Sequence, residues 1–207
     1  KSCPKPLLKV SGKPMMEHII NQAISEGFRE FIITTHYLAH MIKDYFGDGK
    51  SWGVKISYLQ EEIPLGTAGG IARVKDKIIK PFVVTNGDIL TNIRYADILR
   101  FHYQHQADAT MAVRQYEWQH PFGVVEMAGI DIVGFNEKPI SYNHINAGVY
   151  CISPDVIDEL DKDVYCDMPD LFMRLKDSGK RVIAYPVHEP WLDVGDQETF
   201  KKADIIE

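Results

Sequence analysis

The sequence predicts an α/β fold, a mostly parallel mixed sheet flanked by helices, with a small antiparallel extension in its second half. Two observations predict it. Over residues 7–105, short runs rich in β-branched residues alternate with segments of helical apolar period, the pattern of parallel strands joined by crossover helices. From Ala109 onward, strand-like runs follow one another directly, and Met127-Ala128-Gly129 reads as a tight hairpin turn.

Leu7-Leu8-Lys9-Val10 reads as a short extended piece, turned by Ser11-Gly12-Lys13-Pro14 into a helix with Pro14 near its first turn. Met15, Met16, Ile19, Ile20, Ala23 and Ile24 recur at helical spacing, and Gly27 stops the helix. Residues Phe31–Thr35 form a buried strand. Leu38, Met41, Ile42, Tyr45 and Phe46 then give an amphipathic helix ended by Gly47. Val54–Leu59 alternates as a strand, and Thr67–Val74 makes a short helix. Phe82-Val83-Val84-Thr85 is a strand buried on both faces. A helix at Tyr95–His105 buries Ile98, Leu99 and Phe101. Ala109–Val113, Gly123–Met127, Ile130–Phe135 and Ala147–Ile152 are strands, followed by helices at Pro154–Leu160 and Pro169–Lys176. A strand at Arg181–Val187 and a last helix at Gln197–Ile205 complete the reading. There is no internal repeat, low-complexity segment or linker, so residues 1–207 read as one domain with an extension.

Bulk properties narrow the function classes. Apolar residues make up 45% and charged residues 25% of the chain, an ordinary globular balance. The net charge of −6, with lysines and arginines spread out, argues against nucleic acid as a partner. An acidic protein that handles phosphates must neutralise them locally, with a metal ion and a few placed lysines. No apolar stretch reaches the length of a membrane span, and no signal peptide is evident. Cys3, Cys151 and Cys166 are an odd number without metal-ligand spacing, which fits a reduced, cytoplasmic protein. Cys151 lies in an apolar strand and reads as a small hydrophobe.

Several stretches carry potential chemistry. Asn86-Gly87-Asp88 follows directly on the Phe82 strand. Ligands of open α/β sheets lie outside the carboxyl ends of strands, so a carboxylate there is placed to hold a divalent metal on a phosphate. The plainer reading is a strand-ending turn. Leu65-Gly66-Thr67-Ala68-Gly69 stands between a strand and a helix, where bare backbone lets a flat ring approach and Thr67 can cap the helix. Lys5 is held between Pro4 and Pro6, and Lys138 precedes Pro139 in Asn136-Glu137-Lys138-Pro139. Asp193, in Trp191-Leu192-Asp193-Val194-Gly195, is a second carboxylate beside a large aromatic. Asn146-Ala147-Gly148 offers an amide and bare backbone before a strand.

Taken in order, these six stretches resemble the sugar-1-phosphate nucleotidylyltransferase family, which includes mannose-1-phosphate guanylyltransferases and glucose-1-phosphate thymidylyltransferases. The resemblance implies a Rossmann-like three-layer α/β/α domain. It also implies transfer of a nucleotidyl group from a nucleoside triphosphate to a sugar 1-phosphate, with release of pyrophosphate. Asp88 and Asp193 would hold Mg²⁺ against the α-phosphate, a hard cation on oxygen ligands. Lys5 would steady the nucleotide phosphates, with Gly87, Leu65, Gly66, Thr67 and Ala68 around the nucleotide. Lys138 would meet the sugar phosphate, Glu137 and Asn146 the sugar hydroxyls, and Gly123 and Gly148 would line the sugar.

The family's loop of the form Gly-Gly-x-Gly-x-Arg-Leu is not in the sequence. It is expected upstream of Lys1, because a sheet lacking its central strand would leave apolar edges exposed. For the base, Glu61 stands where family members that read a pyrimidine tend to carry glutamine. A carboxylate accepts from both adjacent donors of guanine, which favours GTP. The alternatives are a dTTP- or UTP-dependent glucose-1-phosphate enzyme and an inactive nucleotide-sensing or scaffold homologue. An NAD-dependent enzyme is disfavoured, since no Gly-x-Gly-x-x-Gly follows a strand. A homo-oligomer is among the assemblies left open.

Overall fold

The computed structural model describes residues 3–194. A 3₁₀ turn at Lys5–Leu7 leads into the antiparallel pair β1 (Lys9–Val10) and β2 (Lys13–Pro14), and then α1 (Met15–Ser25), β3 (Glu30–Thr35) and α2 (Ala39–Phe46). Next come β4 (Lys55–Gln60), α3 (Gly66–Gly69), a 3₁₀ segment Gly70–Lys77, β5 (Phe82–Thr85), β6 (Ile89–Thr91) and α4 (Tyr95–Gln104). The second half holds β7 (Ala109–Gln119), β8 (Val124–Ala128), β9 (Asp131–Asn136) and β10 (Ile140–Ile152). A 3₁₀ segment Pro154–Glu159, α5 (Met168–Asp177), β11 (Val182–Val187) and β12 (Trp191–Asp193) follow. The helix expected at Gln197–Ile205 lies outside the described residues.

The sheet is mixed. Its largest part has the strand order β11-β7-β10-β5, with β11 parallel to β7 and β10 antiparallel to both of its neighbours. β3 and β4 form a separate parallel pair. Two short antiparallel ladders, β6 with β12 and β8 with β9, stand apart from these.

The layering follows from the alternation of side chains along β10. Tyr150 and Ile152 point into a cluster with Met168, Leu171 and Leu175 of α5 and Ala68 of α3. Ala147, Val149 and Cys151, of opposite parity, point into a cluster with Ile19 and Ala23 of α1 and Tyr95 and Ile98 of α4. A strand apolar on both faces is what helices on both sides of a sheet require.

Five expectations change. The helix expected at Thr67–Val74 is a four-residue helix running into a 3₁₀ segment, and the one at Pro154–Leu160 is a 3₁₀ segment. The Phe82–Thr85 strand is half-buried, because β5 ends its sheet and one edge has no strand partner among the described residues. Phe31–Thr35 is not a fully buried strand, since its burial alternates and Ile32 is 37% exposed. β7 and β10 run well beyond Val113 and Ala147, pairing Arg114–Gln119 with Ile140–Ile145. That extension carries alternating polar and aromatic residues, a weaker strand signal than a continuous apolar run.

His102 is a core residue that periodicity does not single out. It is 1% exposed on α4, bonded at 2.9 Å to Thr110 Oγ1 through Nδ1 and at 2.9 Å to Ser153 Oγ through Nε2. Ser153 donates its hydroxyl hydrogen to the Ala107 carbonyl at 3.1 Å, so its oxygen accepts from the imidazole Nε2–H. Nδ1 then accepts from Thr110, which is the pattern of a neutral ring.

Burial lowers the His102 pKa from its ordinary value, against an opposing pull from Asp108. The unfolded chain therefore takes up the proton first on acidification. Stability is held above the ordinary histidine value of about 6.5 and falls as pH drops below it, at most about 1.4 kcal/mol per pH unit for one proton. His102→Gln should cost about 1–3 kcal/mol at neutral pH, the scale of a broken buried hydrogen-bond pair. It should also flatten the pH slope of the denaturation midpoint below that value. An unchanged slope would show that His102 is not the responsible group.

Candidate active site

The carboxyl end of β5 is where the chain gathers several of its candidate site residues. After Thr85 the backbone passes through Asn86-Gly87-Asp88 into β6, which pairs antiparallel with β12 and sets Asp193 opposite Ile89. One register further on, the Val194 N–H donates to the Asp88 carbonyl at 3.0 Å. Two acidic residues far apart in the chain are thus neighbours on one ladder. Asp88 is half-buried, and its carboxylate has no hydrogen bond or ion pair among the described residues. Asp193 is exposed. Sequence periodicity does not reveal this ladder, because each of its strands is only three residues long.

A bulge in β10 closes the other side. The β7–β10 register shifts between Asn146 and Tyr150, and Gly148 adopts φ +71°. A Cβ on Gly148 would stand 2.8 Å from Ile89 Cγ1 and 3.0 Å from Asn86 Nδ2, so the position excludes a side chain both by space and by dihedral. The Asn86 N–H donates to the Gly148 carbonyl at 2.9 Å. Trp191 donates Nε1–H to the Ala147 carbonyl at 2.8 Å, and Arg114 donates to the Trp191 carbonyl at 3.2 Å. Pro6 Cγ lies 3.6 Å from where a Cβ of Gly87 would be, which brings the 3₁₀ turn carrying exposed Lys5 to the same place. Four of the six stretches therefore converge.

Asn146 is more occupied than its expected role implies. Its Oδ1 accepts from the Gly148 N–H at 2.9 Å, and its Nδ2 donates to the Tyr150 hydroxyl at 2.7 Å. The amide shapes the bulge first, and one hydrogen and one lone pair remain for a ligand.

The Leu65–Gly69 stretch is anchored from behind. Leu65 and Ala68 are fully buried, so they can meet a ligand only through their main chain. Thr67 does not cap its own helix. Its N–H and hydroxyl donate to Asp167 Oδ1 at 3.0 and 3.2 Å, while its oxygen accepts from the Met168 N–H at 2.7 Å at the start of α5. The N–H groups of Ala68 and Gly69 donate to the Cys166 carbonyl at 2.9 and 3.1 Å. Gly66, at φ +76°, leaves no room for a Cβ, which would stand 2.5 Å from that carbonyl oxygen. Asp167 is the anchor that sequence reasoning missed. Its place just before Met168-Pro169 reads as an ordinary helix N-cap, yet its carboxylate turns to a loop a hundred residues away. The Tyr165 hydroxyl, then the Thr67 N–H, hold the Asp167 carboxyl below its ordinary pKa.

Glu61 also faces inward. Its Oε2 accepts from the Leu65 N–H at 3.2 Å, and its Oε1 lies 2.6 Å from the space a Gly70 Cβ would fill. One carboxylate oxygen thus supports the loop before any base is bound.

Gly123, Glu137 and Lys138 stand on the β7–β10 extension. A Cβ on Gly123 would meet Phe135 Cζ at 2.6 Å and Glu137 Oε2 at 2.9 Å, so Gly123, Phe135 and Glu137 form one corner, with Lys138 next in the chain. Lys138 is exposed, has φ +45°, and makes no ion pair or hydrogen bond among the described residues. A non-glycine residue in that region is uncommon, and such strain gathers at ligand sites. No described contact joins this corner to Asp88.

The donor set suits a hard cation shared with phosphate oxygens, since Asp88 offers two free carboxylate oxygens. Among the described residues no group of three or more histidines, cysteines or acids forms a complete cage. Mg²⁺ fits such an open site, as it is usually bound by one or two carboxylates together with substrate phosphates. Cys151 takes no part. It is fully buried, and burial pushes its thiol up to about 12. No helix among the described residues is long and apolar enough to cross a membrane.

The profile of the family described as nucleotidyl transferase matches residues 1–205. The chain belongs to that family. Among curated family members, mannose-1-phosphate guanylyltransferase of Mycobacterium tuberculosis (strain ATCC 25618 / H37Rv) is 33% identical over 213 residues, covering 99% of this chain and 59% of the relative. The catalytic subunit beta of the Dictyostelium discoideum enzyme of that name is also 33% identical, over 96% of this chain and 57% of the relative. The chain thus spans a little over half the length of these relatives. The fold matches HddC from Yersinia pseudotuberculosis with a TM-score of 0.77 at 22% identity, over 99% of this chain and 90% of that one. A putative glucose-1-phosphate thymidylyltransferase from Bacillus anthracis, solved with sucrose, matches at 0.77 and 19% identity, over 98% and 85% of the two chains.

If Asp167 holds the family's loop in place, Asp167→Ala should reduce the hydrogen-exchange protection of the Thr67, Ala68 and Gly69 amides and cost about 1–3 kcal/mol. Asp167→Asn, which keeps an acceptor oxygen, should retain part of both. Full protection of Thr67 in the alanine variant would assign the loop's shape to Cys166 alone.

Proposed function

We propose that the protein transfers a nucleotidyl group from a nucleoside triphosphate, GTP by preference, to a sugar 1-phosphate such as mannose 1-phosphate. The observation that carries this reading is the β6–β12 ladder, which brings the backbones of Asp88 and Asp193 within one register of each other at a strand end, against a bulge that favours glycine at Gly148. The guanylyltransferase names of the curated relatives support the base, as does the HddC structure described as complexed with GMP-PN.

In the reaction, an oxygen of the sugar phosphate forms a bond to the α-phosphorus. The bond from that phosphorus to the bridging oxygen breaks, and pyrophosphate leaves with the electron pair. The sugar phosphate is already ionised at neutral pH, so no protein nucleophile is required. Both reactants are anions, and the protein's work is to align them and neutralise their charge. Asp88 and Asp193 would hold Mg²⁺, which supplies positive charge at the α-phosphate. Lys5, on the turn beside Gly87, steadies the nucleotide phosphates. Lys138, on its strained backbone, meets the sugar phosphate, with Glu137 beside it for a sugar hydroxyl. The Leu65–Gly69 main chain lines the base, and Oε1 of Glu61 accepts from guanine. A cytoplasmic setting, where these substrates occur, accords with three unpaired cysteines.

A pyrophosphate-release screen of the full-length protein across nucleotides and sugar 1-phosphates tests the reading. Activity should require Mg²⁺, and Asp88→Asn or Asp193→Asn should lower kcat by roughly a hundredfold or more, the scale of losing one electrostatic stabiliser. Near-normal turnover in both variants would sink the metal assignment, and no turnover with any pair would favour a sensing or scaffold role.

The base contact has its own test. Glu61→Gln should weaken the preference for GTP over UTP and dTTP by roughly 30-fold, equivalent to about 2 kcal/mol for hydrogen bonds to a charged acceptor. A variant with full guanine preference would show that Glu61 serves only the Leu65 N–H.

A further inference from the structure

The parallel pair β3–β4 ends on the residue that reaches the Leu65–Gly69 loop. Thr35 is paired with Gln60, and the ladder continues one step further, where the Glu61 N–H donates to the Thr35 carbonyl at 2.8 Å. His36 then bonds back to the same residue, its Nδ1 lying 2.9 Å from the Glu61 carbonyl oxygen. A carbonyl only accepts, so Nδ1 carries the hydrogen. The ring is exposed, and its Nε2 makes no hydrogen bond among the described residues. Glu61 is thereby held at its N–H by Thr35, at its carbonyl by His36 and at Oε2 by the Leu65 N–H. Its Oε1 lies 2.6 Å, and Thr34 Cγ2 3.1 Å, from the space that a Gly70 Cβ would fill, so the carboxylate, β3 and the start of the 3₁₀ segment meet there. Beyond His36 the chain turns through Leu38 at φ +54°, a left-handed conformation uncommon for leucine, into α2. Ala39, Ile42 and Phe46 anchor that helix in the core, which steadies the turn that carries His36.

We propose that His36 is a positioning residue for base selection, acting through the main chain of Glu61. The inference rests on the reading of Glu61 as the residue that accepts from guanine. A mobile carboxylate attracts any donor, and it discriminates between bases only when it is presented in one place. With Oε2 held at Leu65 and the backbone held at Thr35 and His36, the Glu61 side chain spans two fixed points, and few of its rotamers remain. An acceptor ordered in advance loses less freedom when the base arrives. Without the His36 bond, the Glu61 peptide is free to turn at the end of β4 and to carry the carboxylate with it. The plainer role for His36 is to cover the last carbonyl of the strand. That role gives a small gain in stability, since an exposed neutral hydrogen bond contributes little, and it leaves base preference alone.

Isothermal titration calorimetry of the full-length protein with GTP, UTP and dTTP, without sugar phosphate, tests this apart from turnover. The wild type should bind GTP more tightly than the two pyrimidine nucleotides. His36→Ala should lower that ratio by roughly five- to tenfold, the scale of one net hydrogen bond, with UTP affinity little changed. Far-UV circular dichroism should stay the same, because the ring is exposed. His36→Asn puts an amide nitrogen near the place of Nδ1 and should keep most of the ratio. His36→Gln puts its amide nitrogen nearer the place of Nε2 and should behave as the alanine variant does. In a Glu61→Gln background, His36→Ala should change the ratio no further, since the two residues act as a unit. An equal loss of affinity for all three nucleotides would assign His36 to folding or to the phosphates and overturn the proposal, as would additive effects of the two substitutions. A ratio that responds to Glu61→Gln but not to His36→Ala would overturn the proposal and leave the base reading standing. A ratio indifferent to Glu61→Gln would overturn the base reading, and the role of His36 with it.

Discussion

The close approach of Gly148 to Asn86 and Ile89 is the constraint on which the site depends. β10 must be buried on both faces, because helices pack on either side of it, and that leaves its backbone little freedom along Val149–Ile152. The bulge at Asn146–Gly148 ends that regular stretch and pushes main chain against the turn after β5, where a side chain of any size would collide. The Asn86 N–H and the Trp191 indole then bond to the carbonyls of Gly148 and Ala147. The bulge thereby ties the strand bearing Asp193 to the turn bearing Asp88.

The Leu65–Gly69 loop obeys the same logic with different parts. Its inner face is occupied: Leu65 and Ala68 are core residues, and the amides of Thr67, Ala68 and Gly69 are bonded to Asp167 and Cys166. A loop whose inner groups are all engaged presents a rigid outer face, and rigidity lowers the ordering that binding requires. Glu61 adds a second tie through Leu65. The residue expected from sequence to read the base thus also supports the loop itself.

Charge is distributed in keeping with the anionic substrates proposed above. The chain is acidic overall, so attraction of phosphates cannot come from its net field. Positive charge is instead placed at particular points, on Lys5 near Gly87 and on Lys138 beside Glu137. Lys138 sits on a backbone of positive φ and makes no ion pair among the described residues, whereas Arg73 is paired with Asp163.

By itself the sequence determined the helix–strand alternation, the helices over α1, α2, α4 and α5, the hairpin at Gly129, and the six stretches that hold polar groups next to glycine or proline. These are local matters, decided by apolar period and by residues that restrict or free φ, and they are legible wherever the period is long. Tertiary structure decided the rest. It determined that Phe82–Thr85 is an end strand, since the neighbour count of a strand is not written in its own residues. It produced the three-residue ladder between β6 and β12, too short to show a period. It drew Asp167 and Cys166 behind the Leu65 loop, a contact between segments about a hundred residues apart that no local spacing encodes. And it left the β7–β10 arm outside the packed layers, because a strand that alternates polar and aromatic residues has the same sequence pattern whether its apolar face meets a helix or meets solvent.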